Sequence, residues 1–345
     1  MKKKLIYLFI GLASFTVKAQ DLHFAQSNQT PLFINPAAAG VFDGWERVTI
    51  NHRNQWLGAN TSFMTTAIGA DINIGKTRHN DKAHLGLGIL FFNDVGGDSK
   101  FGNQAGSLTL SGIIPMGRSG HILSVGVQGG FGSRKATLTN VTFMSQWNGA
   151  RFDPLLSGEA NPLISFNYVD ASAGVFYVFD GGQNTFQRNN DFKLKIGISA
   201  FHLNQPELKY AGGTAETLKR KYVGQFGIVK EFYNSPVAID VNAVQFIQSG
   251  HYETLLGFMF RYRFVNGTKI TGHSQDAFIG IGTYYRWKDA IIPSVMIDYR
   301  GFQFGISYDV TVSELSRAYR GGSLEFSLSF VNLDHSLFKT RKRRF

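Results

Sequence analysis

Several short stretches of this 345-residue chain carry residue types that could do chemistry. The stretch GADINIGKT, residues 69–77, resembles a phosphate-binding loop, which would cradle phosphate oxygens with backbone N–H groups. Five residues separate Gly69 from Gly75 where that motif needs four, so we interpret the stretch as a strand that ends in a polar turn. The G-x-S-x-G elbow of serine hydrolases is absent from the sequence. These motifs therefore give no support to an enzyme.

Metal and thiol chemistry are no better supported. The nine histidines stand singly, with no pair spaced four residues apart. The stretch NDVGGDSK at 93–100 could offer Asp94 and Asp98 to calcium, but it lacks the repeated acidic spacing of a calcium loop. The chain has no cysteine, which excludes disulfides, thiolate metal sites, a cysteine nucleophile and a lipoprotein anchor. We predict no catalytic residues, no metal and no cofactor.

The elements that position the polar residues are alternating segments. In GGSLEFSLSF, at 321–330, large apolar residues alternate strictly with small or polar ones. Successive side chains of an extended strand point to opposite faces, so one face of this strand is apolar and the other is polar. The same alternation recurs along the whole chain, for example in FKLKIGISAF at 192–201.

Counting these segments predicts an all-β chain. We place fourteen strands near 45–54, 62–74, 84–92, 104–114, 121–132, 170–179, 192–202, 220–230, 236–246, 252–264, 276–287, 290–299, 301–309 and 321–330. An even number of strands, most near the roughly 9–11 residues that cross a bilayer, is typical of a bacterial outer-membrane barrel. We therefore predict a transmembrane antiparallel β-barrel over residues 45–330.

The lengths of the connections support this topology. With a periplasmic N-terminus, the long connections 93–103, 133–169, 203–219 and 310–320 all lie outside, and the short turns 115–120, 231–235 and 300 lie inside. Two connections fit less well, because 264–275 is long for an inner turn and 287–290 is short for an outer loop.

The two ends of the chain have separate roles in this prediction. Residues 1–19 have the cationic start, apolar run and small-residue cleavage site of a secretory signal peptide. Residues 20–44 show no strand pattern, so we expect them to fold into the lumen or to lie beneath it in the periplasm. Residues 331–345 form a basic tail with five basic residues against one acidic one, a net +4 of the +11 formal charge. Export of the chain argues against nucleic-acid binding despite this charge.

The predicted orientation puts the phenylalanine- and leucine-rich face against lipid and the polar face around the lumen. The charged residues that alternation directs inward are Lys193, Lys195, Asp240, Arg261, Arg263 and Glu325. Two interpretations remain open: mutual ion pairing, which is normal in such barrels, or a path for a ligand or solute.

Four separated blocks resemble the PorP/SprF family of the Bacteroidota type IX secretion system. They are AQDLHFAQSNQTPLFINPAAAG at 19–40, NHRNQW at 51–56, FHLNQP at 201–206 and FGISYDVTVSELSRAYRGGSLEFSLSF at 304–330. The residues that match these blocks are Asn35, Pro36, Arg53, Asn54, Trp56, Tyr308, Asp309 and Gly322. For Arg53 and Asp309 we expect pairing in the lumen, and for Trp56 a place in the aromatic belt at the membrane interface.

The resemblance implies a non-enzymatic outer-membrane barrel that supports secretion and surface attachment of a large secreted protein, such as a gliding adhesin. The implied partners are the C-terminal domain of that protein, the periplasmic ring and motor components of the secretion system, and outer-membrane lipid. An anchoring protein would use its outer loops, above all 133–169 with Trp147, Arg151 and Phe152. A pore for small solutes and a barrel hydrolase remain as alternatives.

Overall fold

Hydrogen-bonded strands make up most of the described residues, as a computed structural model shows. The structure describes residues 23–55, 63–77, 82–97, 99–117, 120–136, 141–156, 158, 165–181, 192–208, 216–266, 276–313 and 322–332. Within these residues, fourteen antiparallel strands form one closed barrel, and two very short strands form a separate hairpin. The prediction of a fourteen-stranded antiparallel barrel is confirmed.

The barrel strands, in chain order, are β1 Glu46–Gln55, β2 Phe63–Ile74, β3 His84–Gly96, β4 Phe101–Pro115, β5 His121–Lys135, β6 Phe166–Asp180, β7 Phe192–Phe201, β10 Lys221–Glu231, β11 Val237–Gln248, β12 His251–Val265, β13 Ala277–Arg286, β14 Ala290–Tyr299, β15 Phe302–Thr311 and β16 Ser323–Asn332. The separate hairpin consists of β8 Glu207–Leu208 and β9 Glu216–Thr217. It interrupts the long connection between β7 and β10.

The barrel closes where its first and last strands meet. In the pairing of β1 with β16, Glu46 lies opposite Asn332 and Gln55 lies opposite Ser323. Every barrel strand therefore has a neighbour on both sides, and the barrel itself has no open sheet edge. Closure of this kind satisfies the backbone hydrogen bonds of a β-structure in lipid. We call the end where β1 begins and β16 ends the terminal end, and the opposite end the loop end.

The two faces of the wall differ as the alternation predicts. On β16, Phe326 and Leu328 are 38% and 39% exposed, whereas Glu325 and Ser327 are 0% and 1% exposed. The same division holds on other strands: Leu108 of β4 and Ile198 of β7 point outward and are strongly exposed. The large apolar side chains thus form the outer surface, and the small and polar ones line the interior.

The connections correct one detail of the prediction. The connection expected at 93–103 spans only 97–100, because β3 and β4 continue past the apolar segments and pair as far as Gly96 and Phe101. Polar residues line this extension, and Gln104 donates a hydrogen bond to Asn93 across it at 2.8 Å. The strands therefore continue beyond the region where apolar alternation marks them.

Residues 23–44 lie inside the barrel, and we call them the lumen segment. They form three short helical turns, namely 3₁₀ turns at Ser27–Gln29 and Pro36–Ala38 and one α-helical turn, α1, at Pro31–Ile34. Both proline-initiated turns place proline at the first position, where its missing N–H costs nothing. The side chain of Asn35 caps the last turn by accepting a hydrogen bond from Ala37 N at 2.9 Å. No helix in the described part of the chain is long and apolar enough to span a membrane.

Candidate functional site: the filled lumen

Apolar side chains of the lumen segment pack against the inner wall. Phe24, Leu32 and Phe33 are at most 5% exposed and form a cluster with wall residues on β2 and β3. Ile34 forms one buried cluster with four wall residues of β7, β10 and β11, namely Phe201, Val223, Val244 and Phe246. Ala25 and Ala37 belong to two further clusters on other parts of the wall. Contacts in several directions fix the segment across the lumen, because each buried apolar side chain contributes about 1.5–3 kcal/mol.

Glycines in the wall let the segment approach the strands closely. A Cβ added at Gly126 of β5 would lie 2.6 Å from Cα of Ala37. A Cβ added at Gly86 of β3 would collide with the carbonyl oxygen of Ala39. That same oxygen accepts a hydrogen bond of 2.7 Å from Oγ of Ser111. The wall and the segment are therefore matched in shape at the level of backbone atoms.

Glu325 binds the backbone of the segment near its start. Its two carboxylate oxygens accept hydrogen bonds from the backbone N–H groups of Ala25 and Gln26, each at 2.8 Å. Beside it on the wall, Ser327 donates to Oε1 of Gln26 at 2.6 Å, and Nε2 of Gln26 donates to Ser307 at 3.2 Å. A fully buried carboxylate is stable only when paired or hydrogen-bonded, and these backbone groups supply those bonds.

Five charged residues lie on the loop-end side of Glu325: Arg53, Glu253, Arg286, Asp289 and Asp309. We call them the loop-end ionic cluster. Oδ2 of Asp309 accepts hydrogen bonds from the guanidinium groups of Arg53 and Arg286, and the bond from Arg53 is 2.9 Å long. Arg286 also donates to Asp289 at 2.7 Å, and Arg53 donates to the carbonyl of His23 at 3.0 Å. The cluster thus joins four strands and the loop at 287–289 to the first described residue of the lumen segment.

A second group of ion pairs holds the segment at the terminal end. Arg47 of β1 makes two hydrogen bonds to Asp71 of β2, at 2.9 and 2.7 Å, and Gly40 N donates to the same carboxylate at 2.8 Å. Lys193 forms ion pairs with Asp43 of the segment and with Asp180 of the wall. The Lys193 ammonium group lowers the pKa of Asp43 to about 2. A cavity of about 170 Å³, lined in part by these residues, remains beside them.

All six inward charges predicted from alternation, and also Arg53 and Asp309, occupy inward positions of their strands. Arg263 pairs with Glu231 and Asp276, and Arg261 pairs with Asp298 at 3.3 Å. Lys195 keeps an exposed side chain in the cavity at the terminal end. Asp240 and Lys193 both lie opposite Val229 in the sheet register. The charges therefore divide between the two ends of the barrel.

The residues predicted for partner binding lie apart from the lumen. Trp147 and Phe152 form an antiparallel bridge in the connection between β5 and β6 at the loop end, and their side chains are 54% and 41% exposed. Arg151 between them is also exposed, and Leu155 nearby is 93% exposed. This loop, over its described residues 141–156, presents an apolar surface at the loop end.

Four residues that hold the lumen segment were not predicted from the sequence: Arg47, Asp71, Arg286 and Asp289. Asn35 was named from the sequence, but its capping role was not predicted. Arg47, Asp71 and Arg286 lie on the inward face of strands, so a full register of each strand would have found them. Asn35 donates hydrogen bonds to the carbonyls of Val175 and Ile198, at 3.0 and 3.4 Å, which no periodic pattern could indicate. Two residues raised from the sequence, Trp56 and Asp98, lie outside the described residues.

Over the residues that the structure describes, no group of three or more His, Cys, Asp or Glu side chains could hold a metal ion. Among the inward charges, Asp309 pairs with Arg53, and Glu325 binds the backbone of the lumen segment. These contacts hold the protein's own chain inside the barrel.

A closed barrel with a lipid-facing apolar exterior and a polar interior defines an outer-membrane β-barrel protein. A family model described as "Type IX secretion system membrane protein PorP/SprF" matches residues 16–330. The chain belongs to this family of type IX secretion membrane proteins. The prediction made from the four sequence blocks is confirmed.

Solved structures with a similar fold share little sequence with the chain. CdiB from Acinetobacter baumannii aligns at 7% identity and a TM-score of 0.44, over 84% of this chain and 60% of CdiB. The translocator domain of the autotransporter NalP from Neisseria meningitidis aligns at 10% identity and a TM-score of 0.41, over 89% of this chain and 96% of that domain. The toluene transporter TodX from Pseudomonas putida aligns at 10% identity and a TM-score of 0.41, over 87% and 92% of the two chains. No curated protein matches the sequence.

Proposed function

We propose that this outer-membrane barrel is a non-enzymatic component of the type IX secretion machinery that holds a large secreted protein, such as a gliding adhesin, at the cell surface by its C-terminal domain. The single observation that supports the proposal most is the filled lumen. Residues 23–44 cross the interior and are fixed by apolar clusters, by Glu325 and by ion pairs at both ends. A barrel filled by its own chain is better suited to binding a partner than to passing solutes.

We place the loop end outside the cell. The long connections 136–165, 202–220 and 312–322 all lie at this end, as the extracellular loops of bacterial barrels do. The terminal end carries the tight turns 116–120, 232–236 and 300–301, but also the longer connections 181–191 and 266–276. In this orientation, residues 1–19 are a leader that is removed on export. The strand β16 extends to Asn332 and so includes the first two residues of the predicted tail. The periplasmic tail available to ring and motor components is therefore 333–345.

The partner-binding surface proposed here is the outer loop that bears Trp147, Arg151 and Phe152. Its described part exposes large apolar side chains, including Met144 at 86% and Leu155 at 93%. Exposed apolar side chains grouped in this way are typical of protein-interaction sites. Aromatic and arginine side chains are enriched at such interfaces. A folded domain with a complementary apolar patch is the kind of partner that this loop fits.

The test is a loop variant in the native organism. The double substitution Trp147→Ala/Phe152→Ala removes both bridged aromatic side chains without touching the barrel. We expect the variant to reach the outer membrane in normal amount while the anchored surface protein is released into the medium. The matched control is Lys100→Ala in the neighbouring outer connection 97–100. Unchanged surface display in the double variant, with loss of display in a deletion strain, would rule out this loop as the anchor.

The proposal also predicts what copurifies with the barrel. Pull-down of the tagged protein from outer membranes should recover a large exported protein, and recovery should fall in the Trp147→Ala/Phe152→Ala variant. If no exported protein is recovered, but purified barrels conduct ions steadily in planar bilayers, a solute pore becomes the better account.

A further inference from the structure

The cavity of about 170 Å³ at the terminal end has an apolar side and a charged side. Val41 of the lumen segment and three wall residues, Ile113, Ile122 and Val178, form the apolar side and belong to one hydrophobic cluster. The charged side carries three cations and two carboxylates, namely Arg47, Lys193, Lys195, Asp43 and Asp180. Binding sites for small molecules combine apolar walls with a few polar groups in the same way.

Two of the three cations already have partners. Arg47 donates two hydrogen bonds to Asp71, at 2.9 and 2.7 Å. Lys193 forms ion pairs with Asp43 and Asp180, at 2.5 and 2.9 Å. Both carboxylates that line the cavity are therefore engaged by Lys193.

Lys195 is the cation that remains. Its position on β7 faces the interior, opposite Gly227 of β10, and its side chain is exposed in the cavity. No described side chain forms a hydrogen bond or an ion pair with it, and Asp240 attracts it only from a longer distance. An ammonium group has three N–H donors, and it attracts an anion more strongly inside a protein than in bulk water. Lys195 is therefore placed to bind an anionic group that enters the cavity.

The size and the charges of the cavity narrow the class of anion. An apolar cavity of about 150 Å³ holds benzene, so about 170 Å³ accommodates a molecule of similar size, such as isovalerate. The apolar side has no donor for the oxygens of a phosphate, and Asp43 and Asp180 would repel a doubly charged anion. A singly charged carboxylate with a branched aliphatic chain matches both sides of the cavity.

We infer that the terminal-end cavity binds a small carboxylate with a branched aliphatic chain. Its carboxylate group accepts hydrogen bonds from the Lys195 ammonium group, and its chain packs against Ile113, Ile122 and Val178. A free acid and the last residue of a polypeptide both present this chemistry. The inference goes beyond the proposed function, and it does not depend on which end of the barrel lies outside the cell.

The test is a titration of the purified full-length protein in detergent, in which ¹³C-labelled isoleucine methyl groups are observed by NMR. The probes are isovalerate, isovaleramide, which has the same chain without the charge, and acetate, which has the same charge without the branched chain. We expect isovalerate to shift the methyl signals of Ile113 and Ile122 saturably. Isovaleramide and acetate should each bind about tenfold more weakly, because each engages only one side of the cavity.

Lys195→Gln removes the ammonium group and should weaken isovalerate binding by about tenfold or more. The matched control is Lys82→Gln, which changes an exposed lysine at the same end that does not line the cavity, and it should bind isovalerate as the natural protein does. Migration of both variants as compact barrels on unheated gels shows that they are folded.

N-acetyl-leucine distinguishes the two sources of the ligand. Tighter binding of N-acetyl-leucine than of isovalerate would support the site with a chain end as its ligand. Weaker binding would support the site with a free acid as its ligand.

The inference is wrong if isovalerate gives no saturable shift, if isovaleramide binds equally well, or if a folded Lys195→Gln variant binds isovalerate unchanged. Inorganic phosphate that binds as tightly as isovalerate would also overturn it, because the apolar side would then have no role. Each of these results leaves the loop variant and the pull-down of the proposed function unaffected, so the two proposals can fail separately.

Discussion

Nη2 of Arg53 in β1 donates a hydrogen bond of 2.9 Å to Oδ2 of Asp309 in β15, and both side chains are almost fully buried. The strand between them is β16, in which Glu325 lies opposite Arg53 on one side and opposite Ser307 on the other. The pair therefore reaches over the last strand of the barrel, at the seam where β16 meets β1. It ties the seam to the lumen segment as well, because Arg53 also donates to the carbonyl of His23.

Loss of this pair should destabilise the barrel strongly. Arg53→Ala leaves Asp309 with Arg286 as its remaining cationic partner and leaves the carbonyl of His23 without its guanidinium donor. Removing one partner of a buried ion pair typically costs about 3–5 kcal/mol. We expect a lower temperature for loss of the compact form on detergent gels. Asp298→Asn, which removes a partner of Arg261 whose side chain is 30% exposed, is the control and should change stability by less than about 1 kcal/mol.

Glu325→Gln should loosen the start of the lumen segment without opening the barrel. The amide keeps one acceptor oxygen but replaces the other with an N–H₂ group that faces a backbone N–H donor. Hydrogen bonds to a charged group contribute about 1.5–3 kcal/mol each, so we expect much faster hydrogen exchange at Ala25 and Gln26. Ser329→Ala, also on the inner face of β16, is the matched control. Equal exchange in both variants would contradict the role given to Glu325.

Gly126→Leu should displace the lumen segment. Its side chain would occupy the space of Ala37, whose Cα lies 2.6 Å from the position of the new Cβ. We expect loss of heat resistance and the appearance of ion conductance in planar bilayers. Gly112→Ala on β4 is the control, because an added Cβ there meets no atom within 4 Å. If the Gly126→Leu barrel folds normally but shows no ion conductance in planar bilayers, the lumen segment can shift without opening a path for ions.

Deletion of residues 24–39 should convert the closed barrel into a conducting one. The deletion removes Phe24, Phe33 and Ile34, which fill much of the interior. The intact protein should show no steady conductance under the same conditions. If both proteins conduct equally, ions pass beside the segment, and the solute-pore alternative regains support. The deletion also leaves Glu325 buried without its two backbone donors, so reduced yield of folded barrel is part of the expected result.

The Asp43–Lys193 pair should contribute to stability only above acidic pH. The pKa of Asp43 in the folded protein is lowered to about 2 from 3.8, so its contribution is present above pH 4 and is lost as pH falls through about 2. Two-thirds of the Asp43 side chain is exposed, and solvent therefore reduces the effect to less than about 1 kcal/mol. Asp43→Asn should be slightly less stable than the natural protein at pH 7 and equal to it below about pH 2. Thermal melts across this range measure the difference.

Strand alternation was sufficient to predict the wall of the barrel, because lipid on one side and a polar interior on the other impose a period of two. Strand alternation failed to predict the strands where both faces are polar. Asn93 and Gln104 continue the β3–β4 ladder beyond the apolar segments, and a polar strand end of this kind reads as a loop. The path of the lumen segment could not be predicted either. Its turns are set by Pro31, Pro36 and Asn35 and by contacts with distant strands, which leave no periodic signal.

Glu325 has a consequence for biogenesis, because it belongs to the strand that is synthesised last and binds residues that are synthesised first. Ala25 and Gln26 cross the translocation machinery about three hundred positions ahead of it. The final strand thus completes two closures together, one with β1 along the wall and one with the amino-terminal residues inside. A polypeptide truncated before β16 would form neither closure. Its interior would stay accessible to quality-control proteases.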